Sequence, residues 1–491
     1  MNKNKFRIIY ITFLTLSALI FATTIQFYTA FKNTRFELIL YNLLNMQEIN
    51  VGINSFRKQI IEVLIAFIII LIICTIPAYI FDSTAKEIKI NVFQKKLKIF
   101  PLSLKFYSIS LFTISTLLIL SSLNFWNFLI NNIKTNNFYE KYYVEYEKEN
   151  VIFPKEKNNL ITIFIESMEN SVFTTNNGGT TTSSYMPKME KLTKEYINFS
   201  NSNQIGGFYQ INGTDWTASA IVGQTAGVPI YFQTTNKNNH FLEGATSIGD
   251  ILQENGYNNY FLMGSDSAFG DRFDYLNEHG NYQIFDYYSA INNGLIEEDY
   301  FVWWGYEDKK LYTYAKEQLK KIAKTNQPFN FSMLTVDTHP YEGYTDTTCP
   351  KQFDNNYANS YYCADIMLYD FITWIQSQDF YQNTTIVIIG DHLNMRNDFF
   401  ETEPNYDRTI YNLFINPKVQ TTNIKNRTFS TLDIYPTTLG AIGVNIKNNR
   451  LALGTNLFSE EKTLMEELGQ KEFNKQISSI SKYYNKKILK K

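Results

Sequence analysis

The first third of the chain contains three long runs of apolar residues. They extend from Phe6 to about Phe31, from Ile60 to about Phe81 and from Tyr107 to about Ile130. Each run has about 20 or more residues with almost no charge, which allows an α-helix to cross a hydrocarbon core of ~30 Å. A cleaved signal peptide would explain the first run alone and leave the other two unexplained. We therefore predict a membrane domain with three transmembrane helices in residues 1–130.

Basic residues between these runs predict how the chain is oriented. Short loops rich in lysine and arginine stay on the cytoplasmic side of a membrane. Such residues precede the first run and separate the second from the third: Lys3, Lys5, Arg7, Lys86, Lys89, Lys95, Lys96, Lys98 and Lys105. We expect a multi-pass protein of a bacterial inner (cytoplasmic) membrane, with everything after about Asn131 periplasmic or extracellular. The shorter stretch Phe36–Met46 is predicted to lie in the membrane interface as an amphipathic helix.

From about Val151 onward, short apolar segments alternate with helical patterns. Apolar strands separated by helices are typical of a parallel sheet covered on both faces, so the predicted fold class is α/β, an α/β sandwich. We expect a linker at 131–150, a catalytic domain at 151–458 and a charged, solvated helix or tail at 459–491. The predicted strands are Leu160–Ile165, Tyr260–Met263, Phe329–Val336, Thr385–Ile389 and Tyr411–Ile415. The predicted helices are Met186–Tyr196, Ile248–Asn255, Lys309–Ala323, Ala358–Gln376 and Thr431–Ile442.

Cysteine usage agrees with an outward-facing domain. Cys74 lies in the second apolar run, where it is expected to pack as an apolar residue. Cys349 and Cys363 flank a short polar segment on the outer side, where thiols oxidise, which favours a disulfide over two free thiols. The formal net charge of −2 gives no reason to expect a nucleic-acid partner.

Acidic and histidine residues follow three of the predicted strands. Glu166 follows the first, Asp337 and His339 the third, and Asp391 and His392 the fourth, in a chain with only 4 histidines. The carboxyl ends of strands in an open α/β sheet form the usual ligand site. Oxygen and imidazole ligands together suit Mn²⁺, Zn²⁺ or Mg²⁺. These residues therefore predict a metal site at one edge of the sheet.

The segment Gly213–Ser219 offers a candidate nucleophile. It places Thr214 and Thr217 in a glycine-containing turn before a helical pattern. A helix N-terminus favours an anionic phosphate, and a nearby metal ion would lower the pKa of a hydroxyl group. Spacing alone does not choose between the two threonines, and an ordinary helix cap is the structural alternative.

As an ordered set, these segments resemble the metal and nucleophile motifs of the alkaline phosphatase/sulfatase superfamily. Within it they are similar to the membrane-bound branch that contains lipoteichoic acid synthase and the phosphoglycerol and phosphoethanolamine transferases. The greatest similarity is to the phosphoglycerol transferases that decorate periplasmic glucans, although that branch tends to have serine where Gly390 stands. The segments that carry the resemblance are Ile163–Ser167, Gly213–Thr217, Gly227–Pro229, Thr335–Tyr344, Gly390–Leu393 and Thr431–Thr437.

The resemblance implies a role for several residues. Glu166, Thr217, Asp391 and His392 would bind one divalent metal ion, Mn²⁺ ahead of Zn²⁺ or Mg²⁺. Thr217 would also be the nucleophile, with Thr214 as the alternative. The same resemblance implies that His339 is catalytic and contacts the phosphate or assists the leaving group, that Trp304 lies in the substrate pocket, and that Arg272 is a partner for the phosphate or headgroup.

The function implied is transfer of phosphoglycerol from phosphatidylglycerol in the bilayer to an extracytoplasmic glycan, through a phosphothreonine intermediate. Three alternatives remain open. A phosphoethanolamine transferase would keep the chemistry and act on lipid A or a glycan. A phosphatase or phosphodiesterase would use water as the acceptor. A non-catalytic envelope scaffold would lack bound metal.

Overall fold

A computed structural model describes most of the chain. The described residues are 3–29, 36–37, 39–40, 57–83, 88–92, 95–99, 104–133, 135–231, 233–236, 238–340, 342–396, 398–400 and 406–490. By compactness the chain divides into two units, Met1–Ile130 and Asn131–Lys491.

Within its described residues, the first unit contains three helices that are long and apolar enough to cross a membrane, over Ile8–Thr29, Ile60–Pro77 and Leu104–Ser122. The third helix is shorter than predicted, because the chain turns at Asn124, whose φ is 54°. The predicted amphipathic helix at Phe36–Met46 falls mostly outside the described residues. The elements are α1 (Lys3–Thr29), α2 (Arg57–Ser83), the antiparallel pair β1 (Ile88–Val92) and β2 (Lys95–Ile99), α3 (Leu104–Ser122) and α4 (Phe125–Ile133).

The second unit is built on a sheet of seven strands, and all five predicted strands are present in it. Their order is β6-β11-β10-β5-β9-β7-β8. The sheet strands are β5 (Asn159–Ile165), β6 (Gly207–Phe208), β7 (Asn258–Met263), β8 (Gln283–Phe285), β9 (Phe329–Leu334), β10 (Thr384–Gly390) and β11 (Ile410–Ile415). Short pairs outside it are β3 (Thr135–Asn136) with β15 (Ile480–Ser481), β4 (Val151–Ile152) with β12 (Asn445–Ile446), and β13 (Arg450–Leu451) with β14 (Gly454–Thr455).

Helices cover this sheet on both faces. They are α5 (Phe138–Tyr142), α6 (Pro187–Thr193), α7 (Thr217–Ala226), α8 (Ile248–Glu254), α9 (Arg272–Glu278), α10 (Tyr287–Asn292), α11 (Asp308–Ala323), α12 (Asn356–Gln376), α13 (Ile434–Ala441), α14 (Leu464–Leu468) and α15 (Gln470–Ile477). All five predicted helices are present, although the last begins with a 3₁₀ turn at Thr431–Asp433. Leu160 and Phe164 of β5 face one hydrophobic core, whereas Ile161 and Ile163 face the other. Burial on both faces explains why five of the seven residues of this strand are apolar.

The expectation of a wholly parallel sheet is wrong at one edge. Strands β10, β5, β9, β7 and β8 are parallel, but β11 is antiparallel to β10 and β6 is antiparallel to β11. In the described residues between β10 and β11, the chain contains no crossover helix. The chain therefore enters β11 at the same end of the sheet at which β10 finishes, which makes the two strands antiparallel.

The two segments that flank the predicted catalytic domain pack together. Strands β3 and β15 pair in parallel, and the rings of Phe138 and Phe473 lie 5.7 Å apart. Both phenylalanines are buried in the same core. At Phe138 and Phe473 the linker and the C-terminal segment are therefore buried rather than solvated, because burial removes these apolar rings from water.

Candidate functional site

The carboxyl ends of two adjacent parallel strands bring the predicted ligands together. Glu166 follows β5, while Asp391 and His392 follow β10, its hydrogen-bonded neighbour. Each of the three offers one ligand atom, and these atoms lie within 4.8 Å of one another. All three side chains are buried. We call Glu166, Asp391 and His392 the candidate metal site.

Hydrogen bonds fix the orientation of these ligands. The Nδ1–H of His392 donates to the carbonyl of Leu393 (2.9 Å), which leaves Nε2 without a proton in the neutral ring and available as a ligand atom. His392 Nε2 lies 3.6 Å from Glu166 Oε1 and 3.4 Å from Asp391 Oδ2. Asp391 Oδ1 accepts the N–H groups of Ser167 and His392, both at 2.7 Å. Asp391 Oδ2 is buried and has no hydrogen-bond partner among the described residues.

The charges of the candidate metal site favour a cation. Burial, reinforced by the nearby charge of Glu166, raises the pKa of Asp391 to about 7. Burial lowers the pKa of His392, but the carboxylates of Asp391 and Glu166 outweigh it and raise that pKa overall. Two buried carboxyl groups beside an oriented imidazole form a donor set that a divalent cation fits, because its charge would remove their repulsion. This set of residues can therefore hold a divalent cation.

The structure separates the two candidate threonines. Thr217 is the first residue of α7, and its Oγ1 lies 3.3 Å from Glu166 Oε2 and 3.5 Å from His392 Nε2. Thr214 is fully buried, and its hydroxyl donates to the carbonyl of Ile211 (3.1 Å) within its own turn. Of the two hydroxyl groups, only that of Thr217 contacts the candidate metal site, at the N-terminus of a helix.

His339 and Trp304 lie beside each other in the loops that follow β9 and precede α11. Their ring centroids are 4.5 Å apart. His339 Nδ1–H donates to the carbonyl of Pro340 (2.6 Å), which leaves its Nε2 free of a proton in the neutral ring. Burial, together with the positive charges of His392 and Arg272, lowers the pKa of His339 to about 4. His339 is therefore neutral at pH 7.

Arg272 is buried and directs its guanidinium group toward backbone. Its Nε donates to the carbonyl of Phe269 (2.8 Å), and its Nη2 donates to that of Asp266. The Phe269 ring in turn lies 5.7 Å from that of Trp304. The sequence-predicted residues thus lie around one edge of the sheet, with Arg272 acting on His339 through its charge.

Several residues around the site were not identified from the sequence. The carboxylate of Asp308 accepts the N–H groups of Val336 (2.8 Å) and Asp337 (3.2 Å), and so holds the loop that carries His339. The side chain of Gln224 donates to the carbonyls of Gly390 (3.0 Å) and Asp391 (2.9 Å). Asp308 lies four residues after Trp304, but its spacing gives no sign of this contact. No sequence pattern marks Gln224 within its helix.

Gly390 lies directly against the turn after β5. A Cβ atom at this position would overlap the carbonyl oxygen of Met168. The absence of a side chain therefore allows the end of β10 to approach the turn that carries Glu166 and Ser167.

The family follows from a sequence comparison. A profile described as Sulfatase matches residues 158–444, which include the candidate metal site, Thr217 and His339. The chain belongs to the sulfatase family. Phosphoglycerol transferase I of Xanthomonas campestris pv. campestris (strain B100) is 27% identical over 318 residues, which cover 62% of this chain and 43% of that protein. The protein of the same name from Escherichia coli (strain SMS-3-5 / SECEC) is 27% identical over 329 residues, with 64% and 41% covered. This sulfatase-family chain thus matches less than half the length of these curated relatives.

Solved structures confirm the alkaline-phosphatase-like fold of this sulfatase-family member. The lipoteichoic acid synthase LtaP from Listeria monocytogenes superposes with a TM-score of 0.51 at 18% identity, covering 72% of this chain and 95% of LtaP. The integral membrane protein lipooligosaccharide phosphoethanolamine transferase A from Neisseria meningitidis gives a TM-score of 0.50 at 15% identity, covering 89% and 84%. At these identities the likeness concerns the fold alone.

Proposed function

We propose that this chain is a membrane-anchored, metal-dependent transferase that moves phosphoglycerol from phosphatidylglycerol to an extracytoplasmic glycan. The position of Thr217 carries the proposal: its hydroxyl lies at a helix N-terminus, 3.3 Å from Glu166 and 3.5 Å from His392. The curated relatives named phosphoglycerol transferase I support the choice of group transferred. Cys349 and Cys363 form a disulfide, which supports an oxidising compartment for the second unit.

Glu166, Thr217, Asp391 and His392 would hold the cation, for which we propose Mn²⁺. When bound, the cation supplies positive charge that lowers the pKa of the threonine hydroxyl and offsets charge on the phosphate. The carboxylates of Asp391 and Glu166 would hold the cation beside Thr217. The helix N-terminus at Thr217 adds N–H groups that favour an anion.

The reaction proceeds in two displacements. Thr217 Oγ1 loses its proton and attacks the phosphorus of the lipid headgroup, the bond from phosphorus to the diacylglycerol oxygen breaks, and the proton that Thr217 lost ends on that oxygen. A glycan hydroxyl then attacks the phosphothreonine, and Thr217 leaves as its hydroxyl. Neutral His339, with Nε2 unprotonated, accepts the proton of the attacking hydroxyl. Trp304 packs against the His339 ring and limits its movement.

The proposed topology places all three apolar helices across the inner membrane and the second unit on its periplasmic or extracellular side. This arrangement brings the active site to the same compartment as the glycan acceptor, while the donor lipid remains in the bilayer. An impermeant maleimide applied to intact cells tests it, using a single cysteine introduced at exposed Lys471. Labelling without permeabilisation is expected, and labelling only after permeabilisation would contradict the orientation.

Release of diacylglycerol from labelled phosphatidylglycerol tests the activity. Detergent-purified protein with Mn²⁺ should release it, Thr217→Ala should lose at least about a thousandfold of the rate, and Thr217→Ser should retain part of it. Thr214→Ser, which keeps the buried hydroxyl, is the matched control and should remain active. Phosphatidylethanolamine in parallel distinguishes the related headgroup transfer, and product analysis with and without a glycan distinguishes hydrolysis. No release from either lipid by protein that binds Mn²⁺ would refute the proposal.

A further inference from the structure

Behind the candidate metal site, one buried amide group joins the loops that carry its residues. Asn394 lies two residues after His392 and is 1% exposed. Its Nδ2 donates one hydrogen to Tyr357 Oη (2.8 Å) and the other to Tyr361 Oη (2.9 Å). Both tyrosines are on α12, one helical turn apart. We call these three residues the tyrosine–asparagine cluster.

Each tyrosine hydroxyl in turn donates a hydrogen bond to a different loop. The hydroxyl of Tyr361 donates to the carbonyl of Ser167, which follows β5, at 2.8 Å. The hydroxyl of Tyr357 donates to the carbonyl of Thr338, which follows β9 and precedes His339, also at 2.8 Å. Burial raises the pKa of both tyrosines, so their hydroxyl groups remain donors throughout the working pH range. The cluster therefore links the ends of β5, β9 and β10.

Ser167 connects Tyr361 to the two carboxylates of the candidate metal site. Its N–H donates to Asp391 Oδ1 (2.7 Å), and its hydroxyl donates to Glu166 Oε1 (2.6 Å), so one residue orients two carboxylates. Its φ of 53° is in the left-handed region, which a non-glycine residue adopts only when neighbouring contacts hold it there. The bond from Tyr361 to its carbonyl is such a contact.

The Asn394 end of the cluster is fixed as well. Its N–H donates to Glu169 Oε2 (2.9 Å), and its carbonyl accepts from Arg408 Nη2 (2.7 Å). Arg408 Nε also donates to Glu169 Oε1 (2.9 Å), which forms an ion pair with a fully buried carboxylate. Asn394 therefore has a set position from which it can hold both tyrosine hydroxyl groups.

We propose that Tyr361 is a positioning residue for cation binding, acting through Ser167 on Glu166 and Asp391, and that Tyr357 is a positioning residue for His339, acting through Thr338. The proposal rests on the metal-dependent function proposed above. It assigns separable tasks to two tyrosines that share a helix and a hydrogen-bond donor. Removing either hydroxyl group leaves the phenyl ring in place, so the packing of α12 is retained.

The test compares Tyr361→Phe and Tyr357→Phe in the full-length, detergent-purified protein. Mn²⁺ affinity is measured by titration calorimetry, and kcat and KM by diacylglycerol release. Loss of a residue that orients a metal ligand typically costs 10- to 100-fold in metal affinity. We expect Tyr361→Phe to weaken Mn²⁺ binding about tenfold, and Tyr357→Phe to change it less than about threefold while lowering kcat with little change in KM.

Tyr257→Phe is the matched control, because Tyr257 is also buried and its hydroxyl donates to a carbonyl, that of Asn158 at 2.9 Å, at the opposite end of β5. It should keep wild-type Mn²⁺ affinity even if it lowers the unfolding temperature equally. Equal loss of affinity in Tyr361→Phe and Tyr257→Phe, or none in either, would overturn the inference while the proposed function stands. A wild-type protein that binds no Mn²⁺ would overturn both.

Discussion

Lowering the pH from 8 to 6 should weaken cation binding at Glu166, Asp391 and His392 by at least about tenfold. Only the deprotonated carboxylate of Asp391 can serve as a ligand, and its pKa without metal is about 7. The apparent affinity falls by a factor of 1 + 10^(pKa − pH), which is ~11 at pH 6 and ~1.1 at pH 8. The raised pKa of His392 acts in the same direction, because its proton must also leave before Nε2 can bind.

Titration calorimetry with Mn²⁺ at pH 6, 7 and 8 measures this effect. Repeating the titration at pH 6 in two buffers of different ionisation enthalpy should show release of about one proton or more per cation. Asp365 provides a matched control, because burial also raises its pKa to about 7 while it accepts N–H groups from Lys188 and Met189. Asp365→Asn should leave the pH dependence unchanged. An affinity that differs less than about twofold between pH 6 and pH 8 would refute the reasoning.

The raised pKa of Asp391 also predicts how the stability of the cation-free protein depends on pH. Because the pKa of Asp391 is higher in the folded state than its unfolded value of ~3.9, the folded state binds a proton that the unfolded state releases. This contribution to stability is present at low pH and is lost as the pH rises through about 7. Added Mn²⁺ should reverse the trend between pH 6 and 8, and thermal unfolding followed with and without the cation measures it.

Three further perturbations have defined outcomes. Replacing Cys349 and Cys363 together with serine opens a loop with a sequence separation of 14 and should lower the free energy of unfolding by about 3 kcal/mol, measured by urea unfolding. Arg408→Ala leaves the fully buried Glu169 without its ion-pair partner and should destabilise the protein by about 3 kcal/mol, whereas additional Glu169→Gln should recover part of this loss. His339→Gln should lower kcat about 100-fold or more and leave Mn²⁺ affinity unchanged, and a matching loss of affinity would contradict the role given to its Nε2.

The sequence was sufficient for the central strands and for the residues at their ends. Strand β5 is mostly apolar because both of its faces are buried, and this property is visible in Leu160–Ile165. Glu166, Asp391 and His392 follow such strands, so the parallel arrangement alone brings them to one edge. Which of the two threonine hydroxyl groups lies beside Glu166 and His392 depends on the course of the turn before α7, which spacing along the chain does not describe.

Other features depend on contacts between distant parts of the chain. The antiparallel direction of β11 depends on the path of the chain after His392, which hydrophobic patterns do not describe. Phe138 and Phe473 are 335 positions apart in the sequence yet pack together, so the flanks look like surface segments when read locally. Tyr357 and Tyr361 have ordinary helical spacing. The sequence does not show that their hydroxyl groups donate to the carbonyls of Thr338 and Ser167.

Gly390 limits which other chains can reproduce this site. Its backbone lies so close to the carbonyl of Met168 that any side chain would force the two segments apart. A serine at this position would require one of the two segments to shift before they could pack together. The residue before the Asp391–His392 pair therefore indicates, from sequence alone, whether β10 and the turn after β5 can approach each other as closely as they do in this chain.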